Sequence, residues 1–100
     1  MPPVEVRWAF RARRDVRNIR DYIAQSSAVY GRHMATRLVD RADLLADHPA
    51  AGRRVPEYDD PTVPELVEPP YRIIYRYVEG AREVEVLTIV HARQQLPERV

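Results

Sequence analysis

The segment "PYRIIYRY", residues 70–77, is the stretch from which the fold of this chain can be worked out. Successive side chains of an extended strand point to opposite faces of a sheet. The odd-numbered residues from Tyr71 to Tyr77 therefore form one apolar face, which is ordinary core material. Arg72, Ile74 and Arg76 share the other face. Two explanations for these arginines are open: a solvated sheet surface, or a basic site that binds an acidic group.

The residues before this strand predict one strand and two helices. Residues 4–10 alternate between apolar and polar side chains, which predicts a half-buried first strand. Apolar residues then recur at helical spacing from Ala12 to Ile23 and predict an amphipathic helix. Ser27 is placed to cap a second helix that runs to about His48, where Pro49 stops it. The short link between the two helices predicts an antiparallel helical hairpin.

The residues around and after "PYRIIYRY" complete a sheet. A loop rich in proline and charge, residues 49–64, leads to a short strand at "ELV", residues 65–67. The strand 71–78, the turn "EGAR" and the strand 83–90 form a β-hairpin. In the last strand Val84, Val86, Thr88 and Val90 alternate with Glu85, Leu87, Ile89 and His91, and its apolar middle predicts a central position. The fold class is α+β: a strand, a helical hairpin, then three strands in an antiparallel-rich sheet packed against the two helices.

Composition limits the classes of function that are open to this chain. One hundred residues, 45% of them hydrophobic, predict a single domain spanning residues 1–100 with one modest core. The absence of cysteine excludes disulfides, thiol catalysis and cysteine metal sites. Three scattered histidines, His33, His48 and His91, do not suggest a metal site, and no cofactor is expected. No apolar run resembles a signal peptide or a membrane span, so we expect a soluble, cytoplasmic chain with no membrane partner.

The distribution of charge is more informative than the net charge of +1. All 16 basic residues are arginine, so no lysine is available as a base or a phosphate ligand. The first predicted helix carries Asp15 and Asp21 among five arginines: Arg11, Arg13, Arg14, Arg17 and Arg20. Arginine's planar fork suits carboxylates and phosphates, although a GC-rich genome is the simpler explanation for a chain without lysine.

Four stretches, taken in order, resemble the ParE/RelE superfamily of bacterial type II toxins. They are Ala12, Asp15 and Val16 with "IRDYI" at 19–23, "HPAAGRRVPE" at 48–57, "ELVEPPYRIIYRY" at 65–77, and "EVLTIVHARQQLPE" at 85–98. The resemblance implies a small toxin held inactive by a cognate antitoxin encoded beside it. RelE-like members cut messenger RNA in the ribosomal A site, whereas ParE-like members poison DNA gyrase and have no known catalytic chemistry.

The ribonuclease branch of the superfamily implies a specific set of catalytic residues. Cleavage of RNA needs a base, stabilisation of charge at phosphorus, and an acid for the leaving oxygen. By resemblance, Arg72 matches the phosphate-stabilising arginine and Glu57 the general base. Arg93 matches a basic residue at the end of the last strand, and His91 is the candidate acid, although it lies a few residues before the family's histidine. The lysine-rich version of the site cannot be built here.

Non-catalytic explanations for the same residues also remain open. Arg72 could pair with Glu83 or Glu85 across the hairpin, and Glu57 could pair with Arg53 or Arg54 within its loop. His91 could simply be a structural residue at a strand end.

Whole-chain resemblance and an incomplete ribonuclease site favour a ParE-like, non-enzymatic toxin that inhibits DNA gyrase. The alternative is a RelE-like, ribosome-dependent ribonuclease acting on messenger RNA, and a third possibility is a member that has lost its toxicity. The expected partner in each case is an antitoxin whose acidic, flexible segment folds over the toxin. The basic residues expected to meet that segment are Arg13, Arg17 and Arg20 on the first helix, or Arg72 and Arg76 on the sheet.

Overall fold

A computed structural model describes residues 2–98, which form a mixed five-stranded sheet with two helices packed on one face. The elements are β1 (Glu5–Trp8), α1 (Phe10–Ala24), α2 (Ala28–Asp43), β2 (Arg53–Arg54), β3 (Pro64–Glu68), β4 (Tyr71–Arg76) and β5 (Glu83–His91). The strand order is β1-β5-β4-β3-β2, with β1 parallel to β5 and the other neighbours antiparallel. The predicted α+β class and the central position of the last strand are confirmed. Met1, Arg99 and Val100 of the predicted domain lie outside the described residues.

The predicted elements are correct in type and differ at their ends. The first strand stops at Trp8, because Phe10 already begins α1. The predicted cap is confirmed: the Ser27 side chain accepts a hydrogen bond of 3.2 Å from the backbone N–H of Tyr30. α2 ends at Asp43 rather than near His48, because a 3₁₀ turn takes over at Leu44–Ala46. The two-residue strand β2 lies in the predicted loop and is too short for a period of two to be seen.

The helix-facing core lies between the helical hairpin and one side of the sheet. Tyr71, Ile73 and Tyr75 of β4 are buried there, as the alternation of "PYRIIYRY" predicted. Leu38 and Ala42 of α2 are fully buried against them. Within residues 2–98 neither helix is both long and apolar enough to cross a bilayer.

A β-bulge interrupts the pairing of β4 with β5. Ile74 pairs with Thr88, whereas the next residue, Tyr75, pairs with Val86, so Leu87 is an extra residue on β5. The predicted uninterrupted alternation of β5 is therefore wrong beyond Val86. On β5 the residues packed beneath the helices are Val84, Val86 and Ile89, and those on the far side are Leu87 and Val90.

The far side of the sheet carries a second, smaller core. Val55 and Val63, from the segment between β2 and β3, pack there with Leu96 from the chain after β5. The hydroxyl of Tyr58 donates a 2.5 Å hydrogen bond to the carbonyl oxygen of Pro97 and joins these two covering pieces. We call residues 55–63 together with residues 96–97 the cover. Alternation within a strand cannot reveal such a cover, because it is formed by segments distant in sequence.

An aspartate on α1 completes the hydrogen bonding of β5 where β1 has already ended. Asp15 Oδ2 accepts a 2.6 Å bond from the Thr88 hydroxyl and a 3.0 Å bond from the Ile89 backbone N–H. β1 pairs with Glu83–Val86, so within residues 2–98 no strand is paired with Ile89 on that side. The carboxylate therefore takes the place of a strand and fixes α1 to the sheet.

Replacing Asp15 with alanine is expected to lower the free energy of unfolding by about 1.5–3 kcal/mol, because two buried donors lose a charged acceptor. Urea denaturation followed by circular dichroism measures this loss. The control is Thr88→Val, which removes one hydroxyl and keeps the bond between Asp15 and Ile89. Equal losses in the two variants would contradict a role for Asp15 in satisfying the strand N–H.

Candidate functional site

Arg72 lies on the far side of the sheet beneath the cover and is held by two carboxylates. Its Nη1 and Nη2 donate to the two carboxylate oxygens of Glu57, at 2.7 and 2.8 Å. Its Nε donates to Glu65 Oε1 at 2.6 Å. Only 11% of the Arg72 side chain is exposed, so a solvated sheet surface, one of the two explanations left open, is wrong for Arg72, although Arg76 is exposed. Glu57 belongs to the cover, so its hydrogen bonds to Arg72 hold the cover over the Arg72 side chain and shield it from solvent.

Glu65 of β3 supports Arg72 from inside the protein. Its side chain has no exposed surface, and its second oxygen accepts a 2.8 Å bond from Arg53 Nε on β2. Register explains these contacts, since Glu65 is paired with Arg53 on one side and with Ile74 of β4 on the other. Two arginines and two glutamates therefore form a linked, charge-balanced group, which we call the Arg72 network: Arg53, Glu57, Glu65 and Arg72.

These contacts decide between the pairings that the sequence left open. Arg72 is opposite Val90 on β5, and its ion pairs are with Glu57 and Glu65 rather than with Glu83 or Glu85. Glu57 binds Arg72 rather than Arg53 or Arg54. A glutamate in the strand "PELVE" was the sequence signal for Glu65, because a charge inside an apolar strand needs a partner. Its partner could not be identified without the register.

The electrostatics of the Arg72 network are unfavourable for general-base chemistry. Hydrogen bonds from Arg72 lower the pKa of Glu57 from 4.5 to about 2, against a smaller opposing effect of burial. The same hydrogen bonds raise the pKa of Arg72 above its ordinary value. A carboxylate that binds protons this weakly is a poor base near neutral pH. Both ends of the guanidinium fork are occupied, so a phosphate would have to displace Glu57 to reach them.

His91 and Arg93 do not join this network. His91 is paired in register with Tyr71, whose ring lies in the helix-facing core, and the two rings meet edge-on at 5.5 Å. The His91 Nδ1 accepts a 3.0 Å bond from the backbone N–H of Arg93, so its other ring nitrogen carries the proton of the neutral form. Arg93 is exposed in the turn after β5 and, within residues 2–98, makes no ion pair. The structure thus brings together Glu57 and Arg72 of the four candidate catalytic residues.

A protein-family model matches most of this chain. Residues 6–96 match the model described as the ParE toxin of the type II toxin–antitoxin system parDE. The chain belongs to the ParE toxin family. It is also 42% identical over 89 residues to Toxin RelE2 of Caulobacter vibrioides, an alignment covering 88% of this chain and 94% of that protein.

Solved structures of toxin–antitoxin systems share the fold of this ParE-family chain. A chain of the chromosomal ParDE system from P. aeruginosa superposes with a TM-score of 0.72 at 22% identity, covering 88% of this chain and 95% of that one. A chain of the RelBE2 complex from Mycobacterium tuberculosis gives a TM-score of 0.65 at 22% identity, covering 89% and 98%. At this level of identity the likeness establishes the fold only.

The helical hairpin of this ParE-family toxin exposes both basic and apolar side chains. Arg13, Arg17 and Arg20 are exposed on the outer side of α1. Near the link that joins the two helices, Tyr22 is 72% exposed and Tyr30 is 69% exposed. A shallow groove beside them is lined by Ile23, Tyr30, His33, Met34, Thr36 and Arg37. Within the described range, residues 2–98, no three side chains of the kinds that bind metals converge.

The lowered pKa of Glu57 predicts a pH dependence of stability. A carboxyl group whose folded pKa lies below its unfolded pKa stabilises the fold above the unfolded value and loses that effect as the pH falls. For Glu57 the loss should fall between about pH 4.5 and pH 2. Glu57→Gln should therefore be less stable than the parent chain at neutral pH, and the difference should shrink in acid. The measurement is the urea midpoint at several pH values, and parallel curves would contradict the prediction.

Proposed function

We propose that this ParE-family chain inhibits DNA gyrase by binding it and is neutralised by a cognate antitoxin. The Arg72 network supports a binding function most directly, because its candidate base and its arginine are both unsuited to catalysis. Its candidate base has a pKa of about 2, and its arginine fork is filled by that same base. The candidate acid, His91, is partly exposed and contacts the ring of Tyr71, its partner in register, whereas the partner of Arg72 is Val90. The proposed role of the network is to hold the cover on the sheet.

The helical hairpin is the proposed docking surface for the antitoxin. An acidic segment that folds on binding needs apolar surface to bury and basic side chains to pair with its carboxylates. Tyr22 and Tyr30 supply exposed aromatic surface, and Arg13, Arg17 and Arg20 supply the charge. The sheet is the less favourable candidate, because Arg72 is committed to Glu57 and Glu65 and only Arg76 of the predicted pair is exposed. The M. tuberculosis relative of the same fold belongs to a toxin–antitoxin complex, which supports a partner of this class.

Two assays on the same protein preparation test the gyrase proposal. The first measures supercoiling of relaxed plasmid by purified gyrase, and the second measures cleavage of ribosome-bound messenger RNA. We expect loss of supercoiling and intact message. Relaxation of the supercoiled form of this plasmid by a type I topoisomerase is the control, and it should be unimpaired if gyrase itself is the target. Cleavage of message at the A site with normal supercoiling would reject the gyrase proposal. It would support the alternative ribonuclease function, which the name of the relative Toxin RelE2 suggests.

A further inference from the structure

The cover on the far side of the sheet has hydrogen bonds of its own. The amides of Tyr58 and Asp59 donate to the carbonyl oxygen of Val55, and the amide of Val63 donates to the carbonyl oxygen of Asp60. Both partners of each bond belong to the cover, so these bonds do not require contact with the sheet. Buried backbone groups need such partners wherever they lie. The cover can therefore leave the sheet without losing these bonds.

The polar links between the cover and the rest of the protein differ in strength. Within residues 2–98 they join Thr62 to Tyr77, Asp59 to Arg54, and Glu57 to Arg72. The first is a single backbone bond of 2.9 Å, and the second joins side chains that are 79% and 56% exposed, which makes it weak. The third is bidentate and charge-assisted, so it is the strongest of these links. We call the Glu57–Arg72 pair the latch.

The apolar packing under the cover is separate from the helix-facing core. The buried side chains on the far side come from both the cover and the sheet: Val55, Val63, Leu96, Ile74, Leu87 and Val90. The helix-facing core contains no residue of the cover. Loss of the cover would thus disrupt the smaller cluster and leave the larger one packed. Local openings of this kind require less free energy than global unfolding.

We propose that the cover opens as a unit while the helix-facing core stays folded, and that the latch keeps it closed. In the open form Glu65 still binds Arg72 Nε, so the guanidinium keeps its place and presents both Nη groups to solvent. Leu87 and Val90 become accessible on the same side of the sheet. The toxin therefore has a second surface, opposite the helical hairpin, that the closed form hides. This inference depends on neither gyrase nor the antitoxin.

A thiol placed under the cover reports its opening, because the chain has no cysteine of its own. The variant V90C puts a thiol beneath the cover, and V86C puts one in the helix-facing core on the same strand. Both valines are buried, and cysteine behaves as a small apolar residue. The thiols are labelled in the full chain with excess DTNB, a disulfide that reacts with free thiols. V90C should react at least about 10-fold faster than V86C, because local opening costs less than global unfolding.

Two further substitutions in the V90C protein test the latch. E57Q removes the carboxylate that binds Arg72, and D59N removes the same charge from an exposed position of the cover. E57Q should speed the labelling of V90C by about 10-fold, because hydrogen bonds between charged groups are lost. D59N should change the rate by less than about two-fold. Asparagine suits this control, because Asp59 has a φ of 46°, in the left-handed region that asparagine tolerates.

Each result supports or rejects a defined part of the proposal. Equal labelling of V90C and V86C, with the same dependence on urea, would overturn it, since the cover would then open only when the whole domain unfolds. Equal effects of E57Q and D59N would overturn the assignment of the latch. Urea midpoints of all the variants, measured alongside, correct the labelling rates for changes in global stability.

Discussion

Replacing Arg72 with methionine is expected to lower the free energy of unfolding by about 3–5 kcal/mol, because removal of one partner leaves a buried charge uncompensated. The charge concerned is Glu65, whose side chain has no exposed surface and would retain only Arg53. Glu57 would lose its partner as well, and its hold on the cover would be released. Chemical denaturation at neutral pH measures the loss.

Two further variants distinguish a buried charge from simple loss of packing around Arg72. The double variant R72M/E65L replaces both buried charges with apolar groups, and it should recover much of the stability lost by R72M alone. Arg53→Met should cost no more than about 1 kcal/mol, because the Arg53 side chain is 68% exposed. If R72M/E65L were less stable than R72M, the buried Glu65 would not be the cause. Growth assays on Arg72 variants must be accompanied by chemical denaturation of the same variants, because an unfolded toxin and an inactive toxin both permit growth.

Gly31→Ala is expected to destabilise the protein by about 1–3 kcal/mol through overpacking. A Cβ placed on Gly31 would lie 2.6 Å from the backbone oxygen of Arg20 and 3.3 Å from the backbone nitrogen of Ala24. Both atoms belong to α1, so α1 and α2 would have to separate. The expected sign is opposite to that of an exposed helical position, where glycine to alanine gains about 1 kcal/mol.

Thermal denaturation compares Gly31→Ala with Asp40→Ala, a control at an exposed position of α2. The control should change stability by no more than about 0.5 kcal/mol. A stabilised Gly31→Ala protein would show that the two helices can separate without cost. The hairpin would then be a more deformable docking surface than its packing indicates.

Local sequence patterns were sufficient to predict the helices, the Ser27 cap and the apolar face of β4, because each depends on neighbours in sequence. The bulge at Leu87 was missed because an extra residue in one strand changes the alternation without leaving a mark in composition. The Arg72 network was predicted only in part for a similar reason. Glu57 and Arg72 were identified by resemblance, but their contact requires the cover, and Glu65 reaches Arg72 only through the register of β3 with β4. The burial of Arg72 therefore could not be predicted from the sequence of its own strand.

The position of β5 has a consequence for the synthesis of the toxin. Within residues 2–98, β5 is the last strand and lies between the first strand, β1, and β4. Before residues 83–91 leave the ribosome, no strand can pair with β1, and Asp15 has neither Thr88 nor Ile89 to bind. At about 5–20 residues per second, several seconds of synthesis separate β1 from its partner strand. The sheet beneath the helical hairpin is therefore completed only after both helices and the other strands of residues 2–98 have been synthesised.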